Sequence, residues 1–231
     1  MAASEQFDFV YDWANHGPRA ATWPAHVMID DETLRDGLQS PSVVDPPIDA
    51  KVRILYLMES FGIETADVGL PGAGTRQRED VLRLCREMSD RHMRIRPNCA
   101  ARTMIVDIRP IAEVSQLVGI AIETCLFIGS SPIRQYAEGW DIERIRRQSV
   151  EAISFATREG LPVMFVTEDT VRSSPNDMRV LITAAIEAGA ARVCLCDTCG
   201  AATPEATFNL VTFVKELISE VAPQVGIDWH G

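Results

Sequence analysis

Apolar, β-branched stretches alternate with amphipathic helical stripes along most of the chain, and this alternation constrains the fold more than any other feature. Strand text falls at Val27-Met28-Ile29, read as a buried first strand, and again at 63–70, 94–100, 119–129, 162–168, 191–197 and 225–229. Helical text lies between, over 49–61, 75–92, 108–118, 141–159, 177–188 and from Pro204 onward. Val52, Leu55, Met58 and Phe61 repeat at helical spacing and are closed by Gly62. Val81, Leu82, Leu84, Cys85 and Met88 form the inward side of the second helix, and Pro110 suits the first turn of the third. Thr203 is placed to cap the last helix, with Pro204 at its first position. Strands joined through helices pair in parallel with right-handed crossovers.

Polar and charged motifs follow successive strands. That placement favours a (β/α)8 TIM barrel, whose active sites lie at the C-terminal ends of its strands, over a doubly wound sheet. Seven strands are legible, and a closed barrel needs eight. The expectation is therefore a barrel domain over 27–231, truncated after the seventh strand. Residues 1–26 hold Phe7, Phe9, Tyr11, Trp13 and Trp23 with poor periodicity. They read as an N-terminal arm that packs on the domain or on a second subunit.

Composition narrows the function classes. The chain has 231 residues, 46% of them hydrophobic, enough for a substantial core. A net charge of −11 argues against a nucleic-acid binder or a protein that docks on anionic membrane. No apolar run reaches spanning length, and Met1 to Gln6 has neither a basic nor an apolar leader segment. Of six cysteines, Cys194 and Cys196 alternate along a strand, so both point one way and pack as small hydrophobes. That reading, with reduced thiols in a cytoplasmic protein, is preferred to a zinc site.

The most charged turn is Asp30-Asp31-Glu32-Thr33-Leu34-Arg35-Asp36-Gly37-Leu38-Gln39. An Arg-Asp pair just past a parallel strand is costly unless something binds there. The Asp36 carboxylate is a hard oxygen ligand for a divalent cation, and the Arg35 guanidinium can hold a carbonyl or enolate oxygen. A surface salt bridge, or an Arg35 pair with Glu168 or Asp67, is the plainer alternative. Glu168, after the fifth strand, is the best acid/base candidate, with a pair to Arg172 as its alternative. Gln39 could hydrogen-bond a substrate or a metal-bound water. Arg102 could bind a carboxylate or lie on the surface.

The text Asp31-Glu32-Thr33-Leu34-Arg35-Asp36-Gly37-Leu38-Gln39 resembles the signature of the isopropylmalate synthase, homocitrate synthase and HMG-CoA lyase superfamily of metal-dependent TIM barrels. Further matches follow in order: Asp67-Val68-Gly69-Leu70-Pro71, Ser131-Pro132-Ile133, Glu168 to Ser173, Asp197 to Pro204, and His230-Gly231. The resemblance implies a divalent cation (Mg, Mn or Zn) held by Asp36 and His230, an acyl-CoA co-substrate and a 2-keto acid. It implies that Arg35 stabilises an enolate, that Glu168 serves as acid/base, and that Gln39, Asp67, Arg102 and Thr198 line the substrate pocket. A homodimer or higher homo-oligomer is expected, with no nucleic-acid or membrane partner. Three positions depart from the pattern. The second His of the family's His-x-His pair would follow Gly231, Asp67 stands for a usual Glu, and Cys125 stands for a frequent His. The leading expectation is an acyltransferase making a carbon–carbon bond, in the manner of amino-acid biosynthesis. A lyase running the reverse cleavage and a non-catalytic partial barrel are the alternatives.

Overall fold

The computed structural model describes residues 26–231. Its strands are β1 (Asp30–Asp31), β2 (Thr65–Asp67), β3 (Arg96–Arg102), β4 (Glu123–Gly129), β5 (Val163–Glu168), β6 (Arg192–Cys196) and β7 (Gly226–His230). The helices are α1 (Ile48–Phe61), α2 (Thr75–Asp90), α3 (Ile105–Val118), α4 (Pro132–Glu138), α5 (Ile142–Arg158), α6 (Pro175–Glu187) and α7 (Pro204–Val221). Each strand pairs in parallel with the next, giving one sheet in the order β1-β2-β3-β4-β5-β6-β7. A doubly wound sheet reverses its strand order in the middle. This one does not, and it matches seven strands of a TIM barrel.

Side chains show the curvature directly. Asn98 on β3 donates to Asp30 on β1 at 2.7 Å, across β2. Arg192 on β6 donates to Glu123 on β4 at 3.0 Å, across β5. Neighbouring strands are about 4.8 Å apart, so bonds that skip a strand form on the concave side of a curled sheet. That concave side is polar at Asp30, Asn98, Glu123, Arg192 and Asp228, and sulfur-rich where Cys125, Met164, Cys194 and Cys196 pack together. The main core lies on the convex side, where Leu55, Leu84, Ile111, Leu126, Ile153 and Phe165 fill the space between sheet and helices.

Several expectations are corrected. Val27 and Ile29 are 66% and 58% exposed, so the apolar run before Asp30 is not a buried strand. The strand itself is short, and it lies at an edge of the described sheet with β2 as its one neighbour. Phe61 shares the helical spacing of Val52, Leu55 and Met58 but falls on the last turn, past the sheet's cover, and is 81% exposed. Gly62 does close α1, in the left-handed conformation at φ 80°. α3 starts at Ile105, which puts Pro110 inside the helix rather than in its first turn. Pro110 has no N–H for the carbonyl of Val106, an exposed residue. The short helix α4 was not expected from the text, although Ser131 caps it and Pro132 opens it. The N-terminal arm lies outside the described residues, apart from His26. Among the described residues no helix is long and apolar enough to cross a membrane.

Leu55 has 0% exposure. Leu55→Ala should therefore cost about 2–5 kcal/mol. Phe61→Ala should fall within about 0.5 kcal/mol of the parent protein, because it empties no cavity. Urea titration of both variants checks the pair; a larger loss at Phe61 would mean that a partner covers it.

Candidate active site

The centre of the site is a guanidinium held on three sides. Arg35 Nε donates to Asp67 Oδ2 at 2.9 Å, Nη1 to Asp36 Oδ1 at 2.9 Å, and Nη2 lies 2.9 Å from Glu32 Oε2. The turn after β1 makes this geometry. Arg35 and Gly37 amides both return to the carbonyl of Glu32, which folds Glu32, Arg35 and Asp36 onto one another. Asp67 ends β2 with 0% exposure, and its other oxygen accepts from the Gly69 amide at 3.0 Å. Burial pushes the Asp67 carboxyl up and the nearby Glu32 charge adds to it, against the pull of Arg35; the result is about 7. Burial also raises Glu32. Burial opposes the charge on Arg35, but Asp67 and Glu32 more than compensate, so its pKa is raised. Glu32 Oε2 sits close to Arg35 but out of line for a hydrogen bond, and is left as a buried carboxylate oxygen without a hydrogen-bond partner. The Asp67 alternative for Arg35 is thus realised, and Asp67 reaches the cleft only through the guanidinium it holds.

His230, at the end of β7, pairs in register with Cys196 at the end of β6. The adjacent Cys196 side chain lifts His230 to about 9 despite its partial burial; Glu32 and Asp36 carboxylates add to the lift. Cys196 is lowered by hydrogen bonds to Cys194 and to His230, while Cys194 is driven up. His230 and Arg35 line one small cavity of about 70 Å³ with Glu32, Cys125, Met164 and Asp228. Gln39 is exposed and shares a second cavity of about 270 Å³ with Arg35.

An oxygen and an imidazole nitrogen, with the orphaned Glu32 oxygen beside them, suit a divalent cation in kind. They supply only part of a coordination shell, which a hard cation completes with water and substrate oxygens. Asp36 is half exposed and paired to Arg35, and His230 is paired to Cys196. Among the described residues, no three His, Cys, Asp or Glu side chains are grouped to hold a metal, and the cysteines of β6 form no such cluster either.

Glu168 ends β5 and lines a cavity of about 660 Å³, whose walls include Arg102, Phe127, Arg134, Trp140 and Arg144. Arg134 Nη2 lies 3.9 Å from Glu168 and 3.7 Å from Glu138. Gly129 permits this approach, since a Cβ there would sit 2.6 Å from Arg134 Nε. Arg144 stacks over the Trp140 ring at 5.0 Å. Arg102 grips the buried Asp107 with two hydrogen bonds, of 2.6 and 3.0 Å. Arg172 does not pair with Glu168 but makes a bidentate bond to Asp169. Thr198 is exposed after β6, and its Oγ1 accepts from the Asp169 amide at 2.8 Å.

The structure therefore gathers Arg35, Asp36, Asp67 and His230 around one centre, sets Glu168 and Arg102 in the adjoining large cavity, and puts Thr198 at its own loop and Gln39 on the far side of Arg35. Sequence reasoning passed over Glu32, Cys196, Asp169 and Arg134. For Glu32 the spacing of three residues before Arg35 was the available signal. For Cys196 only the strand register reveals the imidazole opposite it.

A sequence profile described as HMGL-like matches residues 26–231. The chain is 29% identical over 208 residues to a 2-isopropylmalate synthase of Pyrococcus abyssi, covering 88% of this chain and 41% of that one. It is 26% identical over 208 residues to a mitochondrial homocitrate synthase of Saccharomyces cerevisiae, covering 88% and 45%. The chain thus spans less than half the length of these relatives. Among solved structures, the HMG-CoA lyase of Brucella melitensis superposes with a TM-score of 0.65 at 17% identity, covering 88% of this chain and 71% of that one.

Asp67 gives a pH-dependent expectation. Its folded pKa is raised from 3.8 to about 7, so its protonated form stabilises the fold. That contribution is complete below the ordinary carboxylate value and is lost as pH rises through about 7. Asn mimics the protonated acid, so any melting-temperature advantage of the parent protein over Asp67→Asn should shrink between pH 5 and pH 8. A gap that stays flat by calorimetry would mean that Asp67 is ionised throughout.

Proposed function

Because the chain belongs to the HMGL-like family, we propose that it joins the acyl carbon unit of an acyl-CoA to a 2-keto acid through a new carbon–carbon bond. The observation that carries this reading is the Arg35 centre, fixed by Asp67, Glu32 and Asp36 at the barrel mouth, close to a cavity large enough for a CoA thioester. A guanidinium held this way needs no reorganisation to meet a developing oxyanion. Arg35 holds the thioester oxygen as it becomes an enolate. Glu168, in the wall of the large cavity, takes the proton from the carbon next to the thioester carbonyl. The enolate carbon attacks the keto carbon, and water then releases free CoA and the hydroxy acid. Thr198 holds the keto acid's carboxylate, with Gln39 and Arg102 as further polar contacts. Arg134, Arg144 and Trp140 present guanidinium and indole surface to the thioester's nucleotide. Asp36 and His230 would be ligands of a divalent cation, which when bound would polarise the keto carbonyl.

Short Asp67 and Cys125 replace the family's usual Glu and frequent His, which leaves different room around the keto acid and favours an acceptor other than that of leucine synthesis. Lyase chemistry, the reverse cleavage of a 3-hydroxyacyl-CoA, uses the same residues and is favoured by the Gly37-Leu38-Gln39 text. A free-thiol assay, with a second assay for newly formed acyl-CoA, tests both readings. Acetyl-CoA with a panel of 2-keto acids should release thiol only when the acceptor is present. Cleavage of a 3-hydroxyacyl-CoA to a shorter acyl-CoA without release of thiol, in place of condensation, would select the lyase, and neither reaction would leave a binding protein.

Arg35→Lys should cut kcat by about 100-fold or more, because one well-placed oxyanion donor is worth about 3–4 kcal/mol and an ammonium cannot span three carboxylates. A rise in KM alone would make Arg35 a ground-state binder. Asp36→Asn should weaken Mn²⁺ binding by isothermal titration without altering the circular dichroism spectrum; unchanged binding would remove Asp36 from the ligand set.

A further inference from the structure

The loop after β5 contains a residue whose conformation nothing in the proposed chemistry explains. Asp169 is an aspartate in the left-handed region, at φ 58° and ψ 36°, although it is only 2% exposed. Asp tolerates this region better than most residues, but the conformation persists only where surroundings impose it. Here they do. Both carboxylate oxygens are taken by Arg172, at 2.6 and 2.7 Å, and one also accepts from Ser131 Oγ, the buried cap of α4. Burial works against the charge, and Arg172 and Ser131 outweigh it, holding the carboxyl below its ordinary range. A second belt runs beside the first: the Ser130 amide donates to the Glu168 carbonyl at 3.2 Å, and Ser130 and Ser173 hydroxyls meet at 2.7 Å. The loops after β4 and β5 are thereby locked together around Glu168.

The third loop is tied in through the backbone. The Asp169 amide donates to Thr198 Oγ1 at 2.8 Å. A hydroxyl has one proton and two lone pairs. With a lone pair occupied by the amide, and no acceptor for the proton among the described residues, the exposed Thr198 hydroxyl is left as a donor. The direction of the Asp169 N–H depends on the left-handed turn; an extended residue there would aim it elsewhere.

We infer that Asp169 is a positioning residue: its buried carboxylate fixes a left-handed turn whose amide orients the Thr198 hydroxyl as a hydrogen-bond donor to the carboxylate of the keto acid. This rests on the reading of Thr198 given above, and it adds the device that makes Thr198 a donor. Asp169→Asn keeps the tolerance for the turn and one oxygen for Arg172, but its NH2 then opposes the second guanidinium donor. Asp169→Ala keeps neither.

The test is a cycle in the intact chain with Asp169→Ala, Asp169→Asn, Thr198→Val, Thr198→Ser and the Ala/Val double variant, using pyruvate, 2-ketoisovalerate and 2-ketoglutarate as probes. Asp169→Ala and Thr198→Val should each raise the keto-acid KM by about tenfold, the worth of one hydrogen bond to a charged group. The KM for acetyl-CoA should not move, and Asp169→Asn should fall between Asp169→Ala and the parent protein. The double variant should be no worse than Thr198→Val alone. Effects that multiply, or that shift both substrates alike, would make Asp169 a merely structural residue and overturn the inference. Hydrogen exchange at the Asp169 amide reads the same bond without any turnover. Protection should fall in Thr198→Val and persist in Thr198→Ser. Unchanged protection in Thr198→Val overturns the positioning role whatever the reaction, whereas lost protection without keto-acid binding would instead sink the proposed acyl transfer.

Discussion

A carboxylate with no exposure must be neutralised or paired, and in this chain the Asp67–Arg35 contact resolves that demand. Its consequences spread outward. Removing one partner of a buried ion pair costs about 3–5 kcal/mol, so β2 and the turn after β1 hold each other in place. Holding the guanidinium from below also leaves its other nitrogens directed at Glu32 and Asp36, at the mouth of the barrel. A structural necessity and a candidate oxyanion site are the same three-carboxylate arrangement.

The two faces of the sheet divide the labour. The convex face carries the apolar packing under the helices, while the concave face carries bonds that jump a strand: Asp30 to Asn98 and Glu123 to Arg192. Arg192 also meets Asp228 on β7, so one guanidinium links three strands near their N-terminal ends. The chemistry of the opposite ends is thus supported by a rigid polar floor. Between floor and mouth lies the sulfur layer of Cys125, Met164, Cys194 and Cys196, small and polarisable enough to fill a narrowing interior.

Much of this was legible in the text. Strand and helix alternation yields the parallel sheet, and the sequential order follows from short crossovers. Arg35 and Asp36 were readable because charge just past a strand needs a reason. What escaped were features set by register or by curvature. The Cys196–His230 pair depends on β6 and β7 lying side by side in register, and the strand-skipping bonds depend on the curl; neither leaves a periodic trace. Val27, Ile29 and Phe61 misled because hydrophobic spacing reports a face and not whether anything covers it. Asp169 stood within a motif already noticed, but its left-handed backbone cannot be read from a residue type that merely tolerates it.

Gly129 carries a consequence for how this cleft can change over generations. Any side chain there would strike Arg134 at its Nε, Cγ and Cβ. A side chain added at 129 therefore displaces a half-exposed arginine, so its cost falls first on the approach of Arg134 to Glu168. Glycine at 129 and the placement of a cation beside Glu168 are thus coupled: a change at the first position alters the charge around the second without touching either residue of the pair.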